Sequence, residues 1–91
     1  MRRKAEWSEF SGEVAKHVTE YTVPQYGDWP TDQLTDYSPE DCIRQIAKYA
    51  NRHFSGQRGK VELARDLLKI AHYACVCWSK ERKEESNAPV N

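Results

Sequence analysis

Basic side chains at helical spacing are the residues of this chain best suited to binding chemistry. Lys48 and Arg52 are four positions apart, and Arg65 and Lys69 repeat that spacing further along, with Tyr73 following. Residues four apart lie on one face of a helix. Arginine binds phosphate through a planar fork of donors, and lysine acts as a point charge. We predict that these five residues form a phosphate-binding surface; the alternative is a solvated helix face stabilised by local ion pairs.

A second candidate surface lies in the segment 22–37, which contains two prolines, a Gly-Asp pair and three aromatic residues. This composition is typical of a loop, and ordered loops of such length often carry function. The loop residues predicted to bind are Tyr26, Asp28, Trp29 and Asp32. The alternative is that the loop covers the open end of a small core.

Carboxylates that could hold Mg²⁺ are limited to Glu62 and Asp66 on the basic part of the chain. A magnesium-dependent hydrolase needs several carboxylates on facing elements, so loop acids such as Asp28 or Asp32 would have to supply a third. We therefore predict no catalytic residues, metal or cofactor. Magnesium belongs only to the alternative that the protein is a nucleotide pyrophosphohydrolase.

Apolar periodicity predicts the helices that position these residues. We expect an all-α fold: a small three-helix domain over residues 1–83, with helices at about 6–21, 38–55 and 60–82. A long ordered loop, 22–37, should join the first two helices, and residues 84–91 should form a disordered tail. The predicted apolar stripes are Trp7, Phe10, Val14, Val18 and Tyr21 in the first helix, Cys42, Ile43, Ile46, Ala47, Ala50 and Phe54 in the second, and Leu63, Ala64, Leu67, Leu68, Ala71, Ala74, Cys75 and Trp78 in the third.

The second helix has the clearest start. Ser38 can act as its N-cap, Pro39 suits the first helical position, and Glu40 and Asp41 place negative charge at the helix N-terminus. The following turn, 55–59, carries two glycines and Arg58 directly before the third helix. Backbone donors at a helix N-terminus can hold an anion, although the turn is not a P-loop. His17 lies beside the first stripe, and we predict that it is partly buried for structural reasons.

The three cysteines are an odd number and do not form a disulfide framework. Cys42 and Cys75 fall on apolar stripes and are predicted to be reduced and buried. Cys75 and Cys77 are two positions apart on a helix, so they point to different sides and cannot hold one zinc ion together.

Charge is unevenly distributed along a chain whose net charge is zero. Residues 20–42 contain six acids and no lysine or arginine, whereas residues 43–80 contain eight bases against two acids. Overall neutrality argues against sequence-specific nucleic-acid binding. No apolar stretch approaches the length of a membrane span or a signal peptide, so we expect a cytoplasmic protein. A homodimer would add buried surface to a core of this small size.

Two resemblances rest on short motifs. Lys48-Tyr49-x-x-Arg52, followed by Asp66-Leu67-x-Lys69 and Tyr73, resembles small helical phage and prophage proteins sometimes labelled nucleotide-kinase-like. The motifs Tyr26-Gly27-Asp28 and Leu67-Leu68-x-x-Ala71-x-Tyr73-Ala74 are similar to nucleotide-modification-associated proteins related to MazG-like pyrophosphatases. These resemblances imply an all-α fold, a phage setting in a bacterial host, a link to nucleotides and often a dimer.

The MazG-like enzymes hold magnesium with the paired motifs ExxE and ExxD. The second helix has no ExxE and carries Arg44, Lys48 and Arg52 instead, and the third retains only Glu62-x-x-x-Asp66. We therefore predict a non-enzymatic binding module for a nucleotide, another phosphate-bearing ligand, or a host or phage protein. A third alternative is an inhibitor of a host defence or replication protein that uses the acidic segment 20–42 to imitate nucleic acid.

Overall fold

The computed structural model describes residues 1–28, 34–56 and 59–86. Within these ranges all regular structure is helical, which confirms the predicted all-α class. The elements are α1 (Arg2–His17), a π-helical segment (Val18–Thr22), α2 (Val23–Tyr26), α3 (Pro39–Ser55) and α4 (Lys60–Ser86). The chain forms two compact units, Met1–Asp36 and Tyr37–Asn91. The single domain over residues 1–83 stays a prediction.

Helical structure in the first unit extends further than predicted in both directions. It begins at Arg2 and passes through the π-helical segment, where the Val23 N–H donates to the Val18 carbonyl five residues earlier. Pro24 has no N–H to donate, and a wider turn directly before it accommodates that loss. The helix ends at Gly27, whose φ of 100° favours glycine. The prediction of a loop over residues 22–37 was therefore wrong for residues 22–26.

Burial in the first unit follows the predicted stripe only in part. Phe10, Val14 and Val18 are half-buried, whereas Trp7 and Tyr21 at the ends of the stripe are exposed. The predicted burial of His17 is confirmed. The ring of His17 stacks on that of Tyr21, with centroids 5.2 Å apart.

The second unit begins with the predicted cap on α3. The Asp41 N–H donates to Ser38 Oγ at 3.1 Å, and the Ser38 N–H donates to Asp41 Oδ2 at 2.9 Å. This reciprocal pair is a capping box, and it satisfies two backbone donors at the helix start. At the other end, Gly56 adopts a left-handed φ of 70° and terminates the helix. Both ends of α3 therefore agree with the prediction to within one residue.

Helix α4 begins at Lys60, as predicted, and runs past the predicted end at residue 82 to Ser86. The disordered tail was expected over residues 84–91, of which 87–91 lie outside the described ranges. No helix in the described parts of the chain combines the length and apolar character that a membrane crossing requires.

Helices α3 and α4 pack together through a face that apolar periodicity predicted only in part. The buried side chains are Cys42 and Tyr49 on α3 and Asp66 and Tyr73 on α4. On α4 the buried and half-buried positions include 63, 66, 70, 73 and 77, which have the heptad spacing of paired helices. The predicted stripes were wrong at several positions, because the following members are exposed: Ile43, Ala47, Phe54, Ala64, Leu67, Ala74, Cys75 and Trp78. The predicted burial of Cys42 is confirmed.

The capping box predicts how α3 responds to acid. The hydrogen bonds from the Ser38 backbone and side chain, together with the charge of Arg44, hold the pKa of Asp41 below its ordinary value of 3.8. A lowered folded-state pKa means that the ionised carboxylate stabilises the fold above pH 3.8, and that this contribution disappears as the pH falls through the lower value. Asp41→Asn should therefore lower the thermal midpoint at neutral pH.

Far-UV circular dichroism at a series of pH values measures this effect. The midpoints of the wild type and Asp41→Asn should converge in strong acid. Glu40→Gln is the matched control, since Glu40 is an exposed acid in the same helical turn but outside the capping box. If the thermal midpoint of Asp41→Asn stayed below that of the wild type by the same amount at every pH, this role of the carboxylate would be contradicted.

Candidate functional site

Three of the predicted basic residues converge on the ring of Tyr49. The Lys48 Nζ lies 5.3 Å from the ring centroid, the Arg52 Cζ 4.9 Å and the Lys69 Nζ 5.0 Å. These distances are typical of cation–π attraction. Helix α3 supplies Lys48 and Arg52, and helix α4 supplies Lys69. We call Lys48, Arg52 and Lys69 the cationic cluster.

The buried carboxylate of Asp66 holds part of this cluster in place. Asp66 is 2% exposed, and its Oδ1 lies 3.9 Å from Arg52 Nη1 and 3.8 Å from Lys69 Nζ. A carboxylate taken out of water is costly unless cations lie close by. The Arg52 and Lys69 side chains are themselves 35% and 32% exposed, so each faces both Asp66 and solvent. Among the described contacts, the site has three cations and one carboxylate.

Stacked tyrosines support the cluster from within the second unit. Tyr49 stacks on Tyr73 with centroids 6.1 Å apart, and Tyr73 stacks on Tyr37 with centroids 6.4 Å apart and planes 10° apart. Tyr73 is 4% exposed, so it positions the Tyr49 ring and does not face solvent. The sequence predicted Tyr73 as a ligand contact, whereas the structure places it behind the cluster.

An apolar groove of about 220 Å³ lies between α3 and α4 beside the cationic cluster. Its α3 wall includes Tyr49, His53 and Phe54, and its α4 wall includes Leu63, Leu67 and Ile70. Asp66 also lines the groove, so Tyr49 and Asp66 belong to both features. Phe54 is 85% exposed, and the His53 ring meets its edge with centroids 6.1 Å apart. The groove therefore presents aromatic surface next to positive charge.

The other predicted site residues lie elsewhere or outside the described chain. Arg65 is exposed on α4 and is not among the described cations over Tyr49. Tyr26 is half-buried at the end of α2, and Asp28 is exposed shortly after it; both belong to the first unit. The remaining predicted residues, Trp29 and Asp32 of the loop and Arg58 of the turn, lie outside the described residues.

Two residues at the centre of the site were not recognised from the sequence. Tyr49 was not proposed as a binding residue, and Asp66 was considered as a metal ligand or as a local ion-pair partner of Lys69, not as a buried residue of the helix interface. A signal existed for both, because Tyr49 follows Cys42 by seven positions and Asp66 precedes Tyr73 by seven. That spacing places each member of a pair on the same face of its helix. A polar residue at an inward position of a helix pair is expensive to bury and so indicates a specific partner.

The carboxylates proposed for magnesium in the hydrolase alternative do not lie together as a ligand pair. Glu62 is exposed, while Asp66 is buried and faces Arg52 and Lys69. Among the described residues, no group of three histidine, cysteine, aspartate or glutamate side chains is placed to hold a metal ion. Asp32, one of the acids that could supply a third carboxylate, lies outside them.

The position of Asp66 predicts a cost for removing its charge. Asp66→Asn should lower the free energy of unfolding by about 2 kcal/mol, between the values for exposed and fully buried ion pairs, because Arg52 and Lys69 would then repel each other. Urea unfolding followed by circular dichroism measures this change. Glu62→Gln, at an exposed position one turn earlier, should change the free energy by less than about 0.5 kcal/mol. Equal losses in the two variants would contradict the role given to Asp66.

Comparisons with known proteins did not assign this chain to a family. No protein-family model, curated protein or solved structure matched the chain. The resemblance to small phage and MazG-like helical proteins therefore stays a prediction.

Proposed function

We propose that the α3–α4 pair binds a phosphate-bearing ligand of nucleotide type and acts by binding without catalysing a reaction. The observation that carries this proposal is the convergence of the cationic cluster on the Tyr49 ring, with both helices contributing. A bacterial cytoplasm, which the resemblance implies, would supply such ligands.

The phosphate group would bind at the outer side of the cationic cluster. Lys48 is exposed, and Arg52 and Lys69 each retain about one third of their side-chain surface in solvent. Arg52 can offer two parallel N–H donors to phosphate oxygens, and the lysines add point charges. Asp66 lies on the buried side, where it orients Arg52 and Lys69 and so reduces the ordering that binding requires.

The organic part of the ligand would lie in the adjoining apolar groove. A volume of about 220 Å³ is small, which suits a single planar ring system better than a large ligand. The Phe54 side chain, which is 85% exposed, offers a stacking surface for a base, and stacking tolerates different bases. Because Tyr49 belongs to both the groove and the cationic cluster, one ligand can place its ring system in the groove and its phosphate on the cluster.

Isothermal titration calorimetry with AMP, ATP and inorganic pyrophosphate tests the proposal. Binding should be detectable at low salt and weaken at high salt, because charged contacts near solvent are screened. Lys48→Gln should lower the affinity about tenfold, as expected for the loss of one charge-assisted contact. Lys60→Gln, an exposed lysine at the start of α4, is the matched control and should bind as the wild type does.

Two results would contradict the proposal. One is the absence of binding heat for all three ligands at low salt. The other is an equal loss of affinity in Lys48→Gln and Lys60→Gln, which would indicate general attraction to positive charge and no defined site. Either result would favour a macromolecular partner for this surface.

A further inference from the structure

Two cysteines, one on each helix, lie near the end of the helix pair where α3 begins. The Cys77 Sγ of α4 donates to the Pro39 carbonyl at the first turn of α3, with the sulfur and oxygen 3.7 Å apart. Cys42 lies on α3 three positions after Pro39, so it belongs to the same helical turn. Both side chains therefore lie within one helical turn of the same carbonyl group.

The surroundings of the two thiols differ. Cys42 is completely buried, whereas Cys77 is half-buried. Burial raises the pKa of the Cys42 thiol, and the neighbouring Cys77 raises it further. Cys75 is exposed and, two positions away on the helix, points to a different side of α4.

We propose that Cys42 and Cys77 are a modification site that forms a reversible disulfide across α3 and α4 on exposure to a small disulfide oxidant such as oxidised glutathione. This inference does not rest on the proposed ligand-binding function. In a reducing compartment the two residues would remain thiols.

The reaction proceeds in two exchange steps. The Cys77 thiolate attacks one sulfur of oxidised glutathione, which forms a mixed disulfide and releases one glutathione thiolate that takes up a proton. Cys42 then loses its proton and attacks the Cys77 sulfur, which breaks the mixed disulfide and releases the second glutathione as a thiolate that takes up a proton. Two protein thiols are oxidised, and one glutathione disulfide is reduced to two thiols. Cys77 reacts first because it is the more accessible of the two thiols.

The experiment exposes the purified, folded full chain to oxidised glutathione, blocks the remaining thiols and maps peptides without reduction. Trypsin cleaves after Arg44, Lys69 and Lys80, so it places Cys42 and Cys77 on different peptides. The expected product is a disulfide-linked pair of these peptides in monomeric protein. Its thermal midpoint should be higher than that of the reduced chain, because the crosslink restricts the unfolded state.

Cys75 lies on the same tryptic peptide as Cys77, so variants must separate the two thiols. Cys75→Ser should retain the linked pair and the rise in midpoint, whereas Cys77→Ser should lose both. Both substitutions lie outside the fully buried core, so the variants should fold. The proposal is overturned if folded wild type gives only glutathione adducts or intermolecular dimers, or if Cys75→Ser is the variant that loses the link.

Discussion

The carboxylate of Asp66 lies almost fully out of water between α3 and α4, where it requires cations close by. Arg52 reaches it from α3 and Lys69 from one turn further along α4. Cations from both helices therefore lie beside this one carboxylate, and this arrangement favours a single register between the helices. The same arrangement places two cations over Tyr49, to which Lys48 adds a third from the surface. The cationic cluster is thus a consequence of how the helix pair is packed.

Helix boundaries could be predicted where local chemistry determines them, and helix faces could not. Ser38 and Gly56 mark the ends of α3 because a capping box and a left-handed glycine are local features. The predicted stripes were only partly right, because they counted apolar residues alone. Leu67 and Trp78 can remain exposed at small individual cost. Asp66 instead turns inward beside Arg52 and Lys69, and Tyr73 stacks on Tyr37 and Tyr49. Pro24 illustrates a further limit of prediction from sequence. The helix continues through this proline because the hydrogen bonds just before it change to π-helical spacing.

The sequence predicted which residues of the candidate site share a face within one helix better than it predicted how the two helices meet. Spacing by four places Lys48 and Arg52 on one face of α3, which they share in the structure. The same rule grouped Arg65 with Lys69, yet Arg65 is exposed and lies outside the described cluster. The face of α4 that meets α3 includes the buried Asp66 and Tyr73, which a search for purely apolar residues does not detect. For the same reason Tyr49, the ring that the cations share, was missed.

The most direct test of this account is a titration of the isotopically labelled full chain with AMP, followed by two-dimensional proton–nitrogen NMR. The account predicts that the largest shifts occur at backbone amides near Tyr49 and Asp66 and at the side-chain Nε–H of Arg52, and that they saturate with a single affinity. Amides of the first unit, such as those near Glu13, should shift less. Shifts centred on α1, or no shift at ligand concentrations that bind in calorimetry, would contradict the assignment of the site to the cationic cluster.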